Sequence, residues 1–229
     1  MIAIRPQIIK NHASGNFQAM HFQIIKSGKF GFFIMLLILL PLCGNIDYVL
    51  GLWLVDVPAH TANFVVLVLL YSLLDGILTP IAIGVFAQGE IKAYEIALCI
   101  IYAVNFIASY VCLKLGMAPE TVFVLNIAFK ACVLADLLVH SKAKYAFPVH
   151  AFLKQCLLPS AVVFVLSGAF TYFMPWETPN SFWEFLLHTL AIIICTSLMA
   201  LAIGMTKGER LFLKKNLRDK ITVKLYRKI

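Results

Sequence analysis

Six long apolar stretches separated by short polar links set the plan of the chain. They run over about residues 30–54, 61–87, 96–115, 121–139, 155–173 and 182–204. About 20 such residues cover a hydrocarbon core of roughly 30 Å, and each stretch is close to that length. The pattern predicts an all-α, polytopic bundle of six membrane-spanning helices, residues 30–205, with no soluble core. Pro41, Pro80 and Pro159 fall inside three of the spans and are expected to break or bend them, because proline donates no N–H and frees a carbonyl one turn back.

The flanks have a different pattern. Residues 1–29 are mixed in character, and Ser14, Gly15 and Asn16 mark a turn and a helix start. Phe17, Met20, Ile24 and Ile25 then share one helical face, which predicts an interfacial helix lying on the membrane surface in a cytoplasmic segment. In residues 206–229, Leu213, Leu217, Ile221 and Leu225 recur every four residues among lysines and arginines. That spacing predicts a basic amphipathic tail held at a membrane surface.

Composition strengthens the membrane reading. Hydrophobic residues make up 62% of the 229 and charged residues 13%, with a mean hydropathy of +0.91. Soluble domains run at about 45–50% and 25%. The net charge of +8 does not indicate a nucleic-acid partner, since nine of the 19 Lys and Arg lie after Thr206 and four before Phe30. Charge that flanks apolar spans marks cytoplasmic loops and contact with anionic lipid. With six spans, 17 basic residues fall on one face and Lys114 alone on the other, with Lys130 inside a span. The positive-inside rule then places both termini in the cytoplasm.

The six cysteines lie in or at the ends of apolar spans without C-x-x-C spacing, so no metal site or disulfide framework is expected. No cofactor is implied. Enzyme chemistry is not expected either, because no H-E-x-x-H, G-x-S-x-G or phosphate-cradling glycine loop is present.

The chemistry-bearing candidates are polar residues inside spans. Asp75 stands near the middle of the second span, where a carboxylate costs at least about 2.5–3.5 kcal/mol. Lys130 stands at similar depth in the fourth, so an ion pair between the two helices is geometrically allowed. Such a pair is either architectural, or it forms an ion, proton or anionic headgroup site. Asp136 lies six residues from Lys130, on a different face and nearer the cytoplasm. Asn105 and Ser109 in the third span and Asn126 in the fourth read as interhelical hydrogen-bond glue. His188 reads as an interface residue.

Several short stretches, taken in order, resemble one family. They are Ile4-Arg5-Pro6-Gln7-Ile8-Ile9-Lys10; Gly15-Asn16; Ser27-Gly28-Lys29-Phe30 leading to Leu40-Pro41-Leu42; Leu52-Trp53-Leu54 with Val57-Pro58; Asp75 to Pro80; and Gln88-Gly89 with Ile91. Leu113-Lys114-Leu115-Gly116 with Pro119-Glu120, Phe147-Pro148-Val149, Phe152-Leu153-Lys154 and Gly208-Glu209-Arg210 complete the series. The set resembles bacterial oligosaccharide flippases, in the polysaccharide-biosynthesis branch of the multidrug/oligosaccharidyl-lipid/polysaccharide exporter superfamily.

The resemblance implies part of the C-terminal lobe of such a transporter in the bacterial inner (cytoplasmic) membrane. It implies translocation of undecaprenyl-diphosphate-linked O-antigen or capsule repeat units by alternating access, with possible coupling to a proton or sodium gradient. The implied partners are the lipid bilayer, the lipid-linked oligosaccharide, and a missing N-terminal lobe or partner chain, since the family's members have many more helices than six. Lys130 is then expected to meet the diphosphate, and the fifth and sixth spans the polyprenyl tail.

Three other readings stay open. A cation-coupled multidrug exporter fragment would use Asp75 as an ion or drug carboxylate. A non-transporting scaffold of a polysaccharide-assembly complex would depend on the basic tail. An integral-membrane transferase would show acceptor-dependent turnover.

Overall fold

In the computed structural model, residues 4–89, 91–173, 179–206 and 209–210 are described. They form α1 (Arg5–Ala13), α2 (Phe17–Gly44), α3 (Ile46–Trp53), α4 (Thr61–Phe86), α5 (Lys92–Lys114), α6 (Thr121–Tyr145), α7 (Val149–Phe152), α8 (Leu158–Phe173) and α9 (Phe182–Met199). Wider π-helical turns join α7 to α8 at Leu153–Leu157 and extend α9 at Ala200–Gly204. No strand occurs among the described residues. Six helices are long and apolar enough to cross a membrane: α2, α4, α5, α6, the Val149–Phe173 rod and the Phe182–Gly204 rod. The protein is an all-α polytopic bundle.

Helix α2 is the hub. It packs on α4 on one side and on α8 and α9 on the other, while α6 lies on α4 and α5 lies on α6. Met20, Ile24 and Leu36 of α2 are fully buried. Two glycines let α2 and α4 approach at backbone distance. A methyl group on Gly76 would lie 3.0 Å from the Gly31 carbonyl carbon and the Phe32 nitrogen, and one on Gly28 would lie 3.4 Å from the Ile77 carbonyl oxygen. Small residues at this crossing bring the segment around Asp75 against α2.

The first helix departs from the sequence expectation. Residues 17–29 do not form a separate interfacial helix. They are the first half of α2, which continues unbroken through Phe30 to Gly44. Asn16 caps its start, its side chain accepting from the Ala19 N–H at 3.1 Å. Ser27 and Gly28 do not interrupt it, because Ser27 donates to the Gln23 carbonyl at 2.5 Å and Gly28 sits against α4. Met20 and Ile24 therefore face protein, not lipid headgroups. The first span also ends earlier than residue 54. The Asn45 side chain donates to the Pro41 carbonyl at 3.0 Å, and α3 starts as a new helix.

Neither Pro41 nor Pro80 breaks its helix. Both lie within continuous helix, Pro41 three residues before the end of α2 and Pro80 buried in α4. Each helix continues past the one donor that its proline lacks. At Pro159 the chain responds differently: the π turn Leu153–Leu157 widens the helix just before it.

Helix α9 returns to α2 at a buried charge pair. Lys29, 1% exposed, places Nζ 2.6 Å from Oε2 of Glu209. Glu209 Oε2 also accepts from the Thr206 N–H at 2.8 Å, and the Thr206 hydroxyl accepts from the Glu209 N–H at 3.4 Å. This reciprocal pair is a capping box at the start of the tail. The expected amphipathic face at Leu213, Leu217, Ile221 and Leu225 lies outside the described residues, as does most of the link holding Trp176 and Glu177.

Candidate functional site

Helices α4 and α6 run in the same direction and are tied together at three heights. At their first turns, Glu120 accepts from Asn63 Nδ2 at 3.0 Å and lies 2.5 Å from His60 Nδ1, with the rings of Phe64 and Phe123 packed beside them at 5.3 Å. At their last turns, the Tyr145 hydroxyl reaches the Ile81 carbonyl at 3.5 Å. A side chain at Gly84 would strike that hydroxyl, with a Cβ only 2.7 Å from it, so glycine makes room for the tyrosine.

Between these ties, Lys130 Nζ lies 2.5 Å from Asp75 Oδ1. The ammonium also sits over the ring of Tyr71, 4.1 Å from its centroid. A cation–π contact of this kind adds to the ion pair where water is scarce. The two partners are unequally sheltered. The Lys130 side chain is 8% exposed and that of Asp75 is 44% exposed. The carboxylate is thus the more accessible member, and both groups border the same open space.

That space is a cavity of about 380 Å³ lined by α4, α5 and α6. Thr79, Tyr94, Tyr102, Asp75 and Lys130 give it polar groups, and Arg5, the first residue of α1, lines it as well. Arg5 makes no ion pair among the described residues. A second cavity of about 340 Å³ reaches Asp75 from the α2 side, past Ser27, Ser72 and Thr79. Asp75 therefore borders both cavities, whereas Lys130 lines the first.

The other candidates lie elsewhere. Asn105 donates to Asn126 at 2.5 Å, and the Ser109 hydroxyl lies 3.5 Å from Asn105 Oδ1. Asn105 and Asn126 join α5 to α6, Ser109 contacts Asn105 within α5, and none of the three lines the cavity. Asp136 pairs with His140 one turn along α6, at 3.2 Å, and the His140 ring lies edge-on to that of Tyr94. It sits apart from Asp75 and Lys130. Among the described residues, no three His, Cys, Asp or Glu side chains converge as metal ligands, and the six cysteines are free.

Tyr71 and Tyr102 carried no sequence signal beyond being aromatic in a span. Tyr71 lies four residues before Asp75 on the same helical face, and that i,i+4 spacing was the available clue. Arg5 was visible as a charge, but its fold back to the α4–α6 cavity depends on the α1–α2 hairpin. There Asn11 donates to Gln23 at 2.8 Å and Gln23 to Gln7 at 3.0 Å.

The polar tie at the first turns of α4 and α6 has a pH signature. Hydrogen bonds from Asn63, the backbone and His60 hold the Glu120 carboxyl down at about 2, against the usual 4.5. A depressed carboxylate stabilises the fold above its unfolded-state value, and that contribution disappears as pH falls through the folded one. Thermal unfolding in detergent between pH 5 and pH 2 should therefore fall less steeply for Glu120→Gln than for the unaltered chain. Identical slopes would show that the tie contributes nothing.

No family model, curated protein or solved structure matches the chain. The fold and the site define a class: a multi-pass helical membrane protein with an ion pair at mid-depth beside a mainly apolar cavity that carries a few polar groups.

Proposed function

We propose that this chain is the C-terminal portion of a bacterial inner-membrane flippase for undecaprenyl-diphosphate-linked oligosaccharides, in which the α4–α6 cavity receives the diphosphate. The observation that carries this reading is the Lys130–Asp75 pair at mid-depth, opening on a cavity that also takes in Arg5. Ionisable residues at that depth mark substrate and ion pathways. A diphosphate needs two or more cationic donors, and a sugar is matched by hydroxyl-bearing aromatics such as Tyr94 and Tyr102.

The unequal exposure of the pair suggests how such a site works. Asp75 holds the Lys130 ammonium in an ion pair, so an anion takes over the ammonium only when the carboxylate gives way. Protonation of Asp75 removes its hold, and the second cavity gives the side chain room to turn. Release of Lys130 to the diphosphate is in this way linked to uptake of a proton, which is one form of gradient coupling. The other lobe of the transport path comes from a partner chain or a second copy.

One observation favours a second reading. The accessible charge at the cavity is the carboxylate, which suits a cationic substrate and a multidrug exporter. Native mass spectrometry of the detergent-purified chain separates the two. Retention of undecaprenyl diphosphate over undecaprenol supports the flippase reading. Retention of tetraphenylphosphonium with no preference for the diphosphate supports the exporter. Retention of neither sinks both and leaves the scaffold.

A further inference from the structure

At the end of the bundle where α4, α6 and α9 begin, the chain leaves α2 and forms α3 before it turns into α4. Asn45 departs from helical dihedrals, at φ −130° and ψ 31°, so α3 is a separate helix and not the last turns of α2. Two contacts fix its place. Leu50 is buried, and the ring of Tyr48 stacks on Phe185 in the first turn of α9, with 5.1 Å between centroids. Helix α3 therefore stands at the level where the spans end. Helix α2 alone, 28 residues at 1.5 Å each, already covers about 42 Å, more than a hydrocarbon core of roughly 30 Å.

What α3 leaves uncovered is largely apolar. Leu52 and Val55 are exposed, and Trp53 between them is 73% exposed. Asp47 near the start of the segment and Asp56 beside its tip are exposed as well. Residues 30–91 hold no Lys or Arg. The boundary layer of a bilayer suits such a tip. Tryptophan is enriched there because its ring is apolar and its N–H is polar. Leucine and valine settle just below the headgroups, and Asp56 stops the segment from sinking further, since a carboxylate is costly in hydrocarbon. Exposed aromatics recur at the same level on a second helix: Phe182 and Trp183 stand in the turn of α9 that holds Phe185. Aromatics that share one level on separate helices follow the bilayer boundary.

We infer that residues 46–57 form an interfacial element that rests in the headgroup layer at this end of the bundle, with Leu52, Trp53 and Val55 inserted and Asp47 and Asp56 on the water side. The partner is a lipid surface without regard to its charge: no basic residue lies in the segment, so apolar burial drives the contact and anionic lipid does not. The element lies apart from the Asp75–Lys130 cavity and does not rest on the transport reading. Because Tyr48 holds α3 to α9, it sets the depth of α2 and α9 together, at the opposite end of α9 from Glu209.

Fluorescence of the full chain in phosphatidylcholine vesicles tests this. Trp176→Phe with Trp183→Phe leaves Trp53 as the single tryptophan. Lipid brominated at the headgroup end of its acyl chains should quench Trp53 at least about twofold more than lipid brominated near the chain ends, because interfacial segments reach about 5–10 Å into the boundary. Aqueous iodide should quench it little, and added phosphatidylglycerol should change neither result. Leu52→Asp with Val55→Asp in the same background should reduce bromolipid quenching and raise iodide quenching, with an unchanged helical circular-dichroism spectrum as the check on folding. Equal or stronger quenching by the deep label overturns the proposal, as does strong quenching of the unaltered tip by iodide. Bromolipid quenching that fades as the protein-to-lipid ratio rises would assign Trp53 to a protein contact and also overturn it. Quenching that appears only with anionic lipid does the same.

Discussion

Lys130→Ala should abolish preferential binding of undecaprenyl diphosphate by the purified chain and leave the folded protein at near-normal level. The asymmetry of the pair is the reason. Removing one partner of a buried ion pair costs about 3–5 kcal/mol, because the other charge stays buried and uncompensated. In Lys130→Ala the orphan is Asp75, whose side chain is 44% exposed to the two cavities and can be solvated or protonated there. The cost then falls towards that of an exposed pair, about 1 kcal/mol or less. Asp75→Leu is the opposite case. It strands an ammonium that is 8% exposed, with the Tyr71 ring as its remaining partner, and should cost about 3 kcal/mol. Unfolding midpoints of the two variants, together with diphosphate retention, give the result. Intact diphosphate preference in Lys130→Ala would remove that residue from the mechanism. Equal destabilisation by the two substitutions would show that the exposure difference has no energetic consequence.

The second large effect is expected at the pair that sequence reading did not find. Glu209→Ala should destabilise the bundle by about 3–5 kcal/mol, because Lys29 is 1% exposed and would be left without its counter-charge. Lys29→Met in the Glu209→Ala background should recover much of that loss, since an apolar replacement removes the stranded ammonium. Burial alone would push the Glu209 carboxyl up. The Lys29 ammonium and the Thr206 N–H outweigh burial and hold it below the usual carboxylate range. The pair's stabilisation is therefore intact at neutral pH, and it is lost as pH falls below the ordinary glutamate value towards the depressed folded one. Limited proteolysis after residue 206 gives a second readout. The unaltered tail root should resist cleavage, and Glu209→Ala should expose it. A double variant no more stable than Glu209→Ala would show that the stranded charge is not the source of the loss.

Much of the architecture was legible from apolar run length. Helices α4, α5, α6 and α9 start or end within a few residues of the expected spans, because a bilayer-length apolar run has no other stable backbone. The errors came where two signals competed. Ser27-Gly28-Lys29 read as the boundary between a polar flank and a span, since a lysine normally marks the end of apolar depth. Lys29 is instead neutralised by Glu209, 180 positions away, so the helix runs through it. Pro41 and Pro80 read as breaks, but each helix continues past the one donor that its proline lacks. Of the stripe Phe17, Met20, Ile24 and Ile25, Met20 and Ile24 pack at Gly84 of α4 beside Tyr145, while Phe17 stays exposed.

The sequence by itself determined that this is an all-α, multi-pass membrane protein, and it singled out Asp75 and Lys130 as the residues that need explaining. Both follow from transfer energetics that act residue by residue: apolar length for the helices, and the cost of a charge at mid-depth for the pair. The tertiary structure alone decided which charges meet, which member of each pair is accessible, and that Arg5, Tyr71 and Tyr102 join the α4–α6 site. Those outcomes depend on helix rotation and neighbour choice. In a bundle whose helices are apolar nearly all round, small-residue contacts such as Gly28, Gly31 and Gly76 set them, and periodicity along any one helix does not.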